Sequence, residues 1–361
     1  MGLQRGREVS LDLVRGLAII LVVFYHVNIP ATVSPVLSMI QSPTRQFGWV
    51  GVDVFFVLSG FLVGRLLLQA IERSGFSVVP SFLVRRAFKI WPVFFAYLIA
   101  RLAFDSDPWE NYLIQNLLHA QNYFVSSVKH TWSLAVEEHF YVAFPLLLFF
   151  LRKFFDSRFS AVVFLGLFFF IFCLFLRSVA TINGVSDVDI QWQTQYRVDA
   201  LFFGVMIAGV DVYRKSLYEK IEKMVPVLLA VVVAWILSLY LLSNWSVLKV
   251  SVGYSMNILG AAAILVLLRG CEERISRFWF VRAIAWIGVC SYATYLWHLA
   301  LFKISKSMIV RFTGHTSLDG VLFFLICYAV IFLGGFVLTA MVERPALYVR
   351  ERYFPMKARS G

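Results

Sequence analysis

The chain is poor in charge: of 361 residues only 15% are Asp, Glu, Lys or Arg, against 60% hydrophobic. That balance excludes an ordinary soluble domain, in which roughly a quarter of residues are charged. Cysteine is scarce as well. Cys173, Cys271, Cys290 and Cys327 stand apart without CxxC spacing, so neither a disulfide framework nor a metal knuckle is indicated. HExxH is absent, and His130 and His139 lack ligand spacing on one helix face; no metal site is expected. Low-complexity tracts and repeats of fixed period are also missing, which leaves one domain.

What fills the chain is apolar sequence in long runs. A run of about 20 residues crosses a hydrocarbon core of roughly 30 Å. Such runs lie near 14–30, 49–71, 88–104, 133–151, 159–180, 197–213, 225–243, 247–268, 284–309 and 318–342. The expected fold is therefore an all-α membrane protein of about ten transmembrane helices around a central polar cavity. The first run is too long for a secretory h-region and lacks a small-residue cleavage site, so it reads as a retained span. A net charge of +12 could suggest nucleic acid, but placing both termini in the cytoplasm puts most Lys and Arg on the cytoplasmic side. The basicity is then topological, and nucleic acid is not expected as a partner. Two segments, 105–131 and 181–196, are longer than turns. The first alternates apolar and polar residues at helical spacing over Trp109 to Leu118, as an interfacial helix does.

Ionisable residues inside a membrane are costly and usually face a cavity. Arg15 and His26 are 11 positions apart, about 20° out of register and roughly 16 Å along the axis, so they share a helix face. Arg15 reads equally well as a cation snorkelling to headgroups. In "HTWSLAVEEHFY", residues 130–141, Ser133, Glu137 and Tyr141 form one stripe, and Glu137 and Glu138 cannot both face lipid. Arg85, Arg86 and Lys89 cluster in "RRAFKIWP", where arginines suit phosphate but plain topology is the bland alternative. Arg197 and Asp199, Asp53, and Ser291, Tyr295 and His298 supply further polar groups, each open to a reading as interhelical hydrogen bonding. Gly60 and Gly64 read as a close-packing pair.

In this order the motifs resemble the acyltransferase-3 family of membrane-bound acyltransferases over about residues 10–345. The pieces are Arg15-x10-His26, "VDVFFVLSGFL", "RRAFKIWP", "WSLAVEEHFY", "RVDALFFG", "SYATYLWH" and "VERP". The resemblance implies a single acyltransferase domain spanning 1–361, with no appended soluble domain expected, in a bacterial inner membrane. It implies transfer of an acyl group, most often acetyl, from cytoplasmic acetyl-CoA to a hydroxyl of a surface or secreted glycan such as O-antigen or exopolysaccharide. Acyl-CoA is then a donor substrate and not a resident cofactor; a glycan or lipid-linked glycan is the acceptor, membrane lipids are the other partners, and the oligomeric state is open. The Arg15-His26 pair is the implied reactive centre. Two departures stand out: Lys89 fills a position commonly arginine, and His139 one that often bears an amide.

On that reading Arg85, Arg86 and Lys89 hold the donor's phosphates and Arg15 positions CoA or closes the pore. His26 is the general base and Glu137 orients its imidazole. Acyl-histidine formation at His26 is the rival chemistry. Trp132, Trp109, Glu138, Asp53, Arg197, Asp199, Tyr295 and His298 are candidate acceptor or pantetheine contacts. A transporter of a glycan or lipid-linked precursor is the main alternative, since buried charges also serve gates and relays. A non-catalytic scaffold would leave the cost of burying Arg15, Asp53, Glu137 and His26 unexplained.

Overall fold

A computed structural model describes residues 8–29, 34–104, 113–124, 128–242, 246–313 and 320–355. Trp109 lies outside them, as does the first turn of the interfacial helix expected over Trp109 to Leu118; its described part is a five-residue helix. Among the described residues every regular element is helical. In chain order these are α1 (Val9–His26), α2 (Pro35–Phe47), α3 (Gly51–Ser74), α4 (Val79–Phe104), α5 (Leu113–Leu117), α6 (Trp132–Leu151), α7 (Arg158–Ile182), α8 (Asp187–Trp192) and α9 (Asp199–Tyr213). There follow α10 (Lys215–Lys223), α11 (Val225–Leu241), α12 (Ser246–Leu248), α13 (Tyr254–Gly270), α14 (Glu272–Ile275), α15 (Trp279–Val289), α16 (Ser291–Thr313), α17 (Gly320–Leu338) and α18 (Arg344–Tyr353).

Among the described residues six helical stretches are long and apolar enough to cross a membrane, or up to eight when each of two bent pairs counts as a span. This is a multi-pass membrane protein. Within the unbroken helical stretch Pro35–Ala103, run 49–71 falls mainly on α3 and run 88–104 on α4, while α9 holds only 15 residues. The run 284–309 is not one straight helix, because α15 and α16 meet at a 74° bend around Cys290. Periodicity carries no signal for such a bend.

The chain divides into two compact units. The first comprises Met1–Val52, Lys89–Ile99 and Glu272–Val349. Here α1 packs on α15 with backbone almost in contact: a Cβ on Gly16 would strike the Ile284 carbonyl, and one on Gly288 would strike that of Asp12. Small residues allow this approach where helices associate in lipid. The start of α1 has no local side-chain cap; instead the Glu272 carboxylate accepts from Val9 N (2.7 Å) and Ser10 N (2.8 Å), satisfying donors that a helix leaves open. Beyond its end, Gln41 of α2 donates to the Val27 carbonyl (2.9 Å) and accepts from Ile29 N (2.8 Å). Both ends of α1 are thus fixed, and His26 is its last residue.

The second unit comprises Asp53–Phe88, Ala100–Cys271 and Arg350–Gly361. As the Gly60-x-x-x-Gly64 spacing predicts, α3 meets α9 closely: a Cβ on Gly60 would collide with Leu201 backbone, and one on Gly204 with the Val57 carbonyl. The α7–α9 contact is aromatic, with Phe169 and Phe202 stacked at 4.1 Å. Gly260 of α13 leaves room for the Trp235 ring of α11.

Candidate active site

His26 ends α1 with its side chain exposed. Two contacts hold its ring: Nδ1 lies 2.9 Å from the Val22 carbonyl and 3.2 Å from Nε2 of His298. His298 is fully buried on α16, and its own Nδ1 is 2.5 Å from the Tyr295 carbonyl. Carbonyl oxygens only accept. Nδ1 of His298 must therefore carry its proton, which makes Nε2 an acceptor. By the same rule the proton on neutral His26 sits on Nδ1, between the Val22 carbonyl and His298 Nε2. The remaining nitrogen, His26 Nε2, holds a lone pair. Together the carbonyl and the second histidine fix a tautomer, as orienting groups do for catalytic imidazoles.

Arg15, on the same helix, donates from Nη1 to Asp12 Oδ1 at 2.6 Å. Asp12 is buried, so part of Arg15's role is to compensate a carboxylate one turn away. Lys89, also in the first unit, is ion-paired with Glu343 and sits 6.0 Å from the Tyr292 ring. Glu343 ends a π-helical turn, Thr339–Glu343, its Oε2 buried with no hydrogen-bond partner among the described residues. Tyr295 and Ser291 are buried on α16.

In the second unit the stripe anticipated on α6 is formed. Tyr141 Oη donates to Glu137 Oε2 at 2.6 Å and lies 3.1 Å from Ser59 Oγ of α3. Arg86 sits 5.7 Å from the Tyr141 ring centre, and its Nε is buried without a hydrogen-bond partner among the described residues. Glu138 is partly buried beside Glu137. Arg85 is engaged in a bidentate pair with Glu351 of α18 (3.2 and 2.7 Å) and donates to the Phe354 carbonyl at 2.5 Å. His139 bonds Thr194 Oγ1 at 2.7 Å, which ties α6 to the segment before α9.

Asp53, Arg197 and Asp199 come together, but in a buried, charge-paired network. Arg197 pairs with Asp53. Asp53 also accepts from Asn257 Nδ2 at 2.8 Å, and Asn257 accepts from Trp235 Nε1 at 2.9 Å. Arg177, which the sequence reading passed over, donates to Asp199 Oδ2 (2.7 Å), the Tyr196 carbonyl (2.6 Å) and Ser255 Oγ (2.9 Å). All four charged residues are at most 3% exposed. The Arg197 guanidinium lies 3.8 Å from the Tyr254 ring centre and 5.7 Å from that of Trp132. Trp132, only 5% exposed and edge-on to Phe56, offers little ring face to a sugar.

The sequence thus names His26 and His298 without pairing them, and expects Glu137 to hold the ring that Val22 and His298 hold. It misses Asp12, Arg177, Glu343 and Glu351. For Arg177 a signal existed: an arginine 19 residues into an apolar helix, beyond the reach of the Arg158 end, must find a partner.

A family profile described as an acyltransferase domain matches residues 8–340. Among similar proteins, one of Staphylococcus aureus (strain COL), provisionally named an O-acetyltransferase, is 24% identical over 338 residues, covering 83% of this chain and 52% of its own. The peptidoglycan O-acetyltransferase OatA of Listeria monocytogenes is 23% identical over 326 residues, 83% of this chain and 50% of its own. The O-acetyltransferase OatA of Staphylococcus aureus (strain NCTC 8325) is 23% identical over 333 residues, 84% and 52% respectively. The chain spans about half the length of these relatives. No solved structure matches it.

Proposed function

This chain belongs to the acyltransferase-3 family, and we propose that it is a membrane O-acetyltransferase moving an acetyl group from cytoplasmic acetyl-CoA to a hydroxyl of a cell-surface or secreted glycan. The observation that carries this reading is His26, an exposed imidazole whose Nδ1 is committed to Val22 and His298 and whose Nε2 lone pair is open. Such a group takes a proton from an attacking hydroxyl. His26 Nε2 accepts the acceptor's O–H proton; the oxygen bonds to the acetyl carbon; the C–S bond breaks, and the CoA thiolate is protonated. In the rival step the Nε2 lone pair itself attacks the acetyl carbon and the C–S bond breaks, giving an acyl-histidine and a CoA thiolate; the acceptor oxygen then attacks the acetyl carbon, the N–C bond breaks, and the hydroxyl's proton leaves with the thiol.

Arg85, Arg86 and Lys89 are the proposed contacts for the donor's phosphates, which suit cations and above all planar guanidinium groups. Phosphate at Arg85 replaces Glu351, and at Lys89 it competes with Glu343. Glu137 is the proposed carboxylate for stabilising positive charge during transfer, and Arg15 the proposed cation along the donor's path. Tyr295 and Glu138 are proposed acceptor contacts, while Asp53, Arg197, Asp199 and Trp132 act through the buried frame. About ten spans, both termini in the cytoplasm and a bacterial inner membrane complete the proposal, supported by the positive-inside bias.

The test is release of free CoA thiol from acetyl-CoA by purified protein in nanodiscs, with and without crude bacterial surface glycan. Acceptor-stimulated release that disappears in His26→Ala is the expected result. A His26→Ala protein as active as wild type would end the assignment, and export of unmodified glycan without thiol release would favour a transporter. Acetyl retained on wild-type protein when acceptor is withheld would select the covalent route.

A further inference from the structure

Within the second unit a cavity of about 570 Å³ opens at the elbow where α3 turns into α4. It contains none of the residues assigned roles above. One wall is a single face of α3, where Leu62, Arg65, Leu66, Gln69 and Arg73 recur at three- and four-residue intervals. Leu62 to Arg73 is 11 residues, so this wall runs about 16 Å along the helix. Ser77 of the intervening turn and Ser81 and Phe82 of α4 complete it. Among the described residues no carboxylate lines the cavity, although the neighbouring cavity that shares Arg65, Gln69 and Arg73 includes Glu72 and Asp211. Hydroxyls and Arg73 gather at the elbow beside Phe82, and Leu62 and Leu66 supply apolar wall further along α3. An elongated slot with the Arg73 guanidinium, three hydroxyls including Ser74, and an apolar flank has the chemistry of an anionic amphiphile's site; its second guanidinium, Arg65, is ion-paired with Asp211 at 3.3 Å.

We propose that this elbow cavity binds a phosphate ester carrying a long, flexible arm, its phosphate at Arg73, Ser77 and Ser81 and its arm along Leu66 and Leu62. Acyl-CoA and an anionic phospholipid share that chemistry. The acyl-CoA outcome rests on the donor assignment above; the phospholipid outcome is independent of it.

The experiment uses full-length protein in phosphatidylcholine nanodiscs, titrated with desulfo-CoA and, separately, with phosphatidylglycerol, in wild type, Arg73→Gln, Ser81→Trp and Arg85→Gln. Arg73 is exposed and on the elbow, so its replacement leaves the core intact; Ser81→Trp fills the slot without touching charge. Saturable binding of one probe that weakens roughly tenfold or more in both cavity variants, and weakens with salt, is expected, and the probe that responds identifies the source. Unchanged affinity for both probes in Arg73→Gln and Ser81→Trp overturns the cavity assignment. Desulfo-CoA binding lost only in Arg85→Gln overturns it while preserving the donor reading. Phosphatidylglycerol binding that depends on the cavity, with no desulfo-CoA binding in any protein, supports the cavity and overturns the donor reading.

Discussion

The first unit presents one buried histidine, His298, behind one exposed histidine, His26, whose second nitrogen is open; the second unit buries Arg177, Asp199, Arg197 and Asp53 with each charge matched by an opposite one. Both clusters are costly in a membrane, and cost alone does not tell chemistry from architecture. The difference lies in charge balance and access. A group that reacts keeps a lone pair and access, whereas a group that holds helices together is buried with its charge matched by an opposite one, even where Arg177 Nε and Arg197 Nη1 have no hydrogen-bond partner among the described residues. The comparison breaks if mutation produces the same failure in both places. His26→Ala is expected to lower acetyl transfer by at least ~10³-fold, a loss at the scale of a catalytic base, with a melting temperature close to wild type. Asp53→Ala leaves Arg197 buried without its partner and should cost about 3–5 kcal/mol of stability, visible as a lower melting temperature and less folded protein. A wild-type melting curve for Asp53→Ala would remove the architectural reading of the network.

A smaller effect sharpens the same contrast. His298 touches His26 and not the reacting atoms, so it is a positioning residue. Replacement by Ala frees the His26 ring to rotate or change tautomer and should reduce kcat by about 10²-fold with KM for acetyl-CoA little changed, as loss of an orienting partner does. His298→Asn supplies an amide oxygen that can accept from His26 Nδ1 and should recover part of the loss. Equal kcat in His298→Ala and wild type would show that Val22 alone suffices.

Outside the spans, His119 gives a pH test. It is buried in the turn after α5 with φ 52°, and burial, aided by the nearby His139, lowers its pKa from 6.5 to about 4. When this segment opens, the imidazole takes up a proton at its ordinary value near 6.5; folded, it does so only near 4. The open form therefore binds more protons between those values, and stability is lost as pH falls through that window. At pH 5 the loss is about 2 kcal/mol. His119→Asn, which tolerates positive φ, should flatten the decline in melting temperature between pH 7 and 5; an identical decline would locate the titration elsewhere.

Much of this was legible locally. The apolar runs marked the helices, Gly60 and Gly64 marked a close-packing face on α3 without its partner, and Ser133, Glu137 and Tyr141 marked the α6 stripe, because each depends on spacing within one segment. What spacing could not give is pairing across the chain. Glu272 caps a helix 263 positions away, and Lys89 meets Glu343 at a separation of 254. His26 and His298 are 272 apart. The bend at Cys290 falls inside the apolar run 284–309 with no proline to mark it, so spacing showed the run and not its break.

The mildest expected change lies at Arg85, where the second unit resembles the first in holding a functional candidate half committed. Its partner Glu351 is 51% exposed while Arg85 is 11% exposed, so the pair opens by movement of the acid. If Arg85 receives donor phosphate, Glu351 is its intramolecular competitor. An exposed ion pair contributes only about 0–1 kcal/mol, so the competition is weak and easily displaced. Glu351→Gln should then lower KM for acetyl-CoA by a factor of roughly two to five, with kcat unchanged and a smaller salt dependence. Arg85→Gln should raise KM, and in that background Glu351→Gln should have little further effect on KM, since Glu351's other partner, Arg350 at 2.6 Å, is not a donor contact in this reading. Additive effects of the two substitutions would mean that Glu351 acts elsewhere, and that Arg85 belongs with Asp53 and Arg197 among the residues whose charge is spent on architecture.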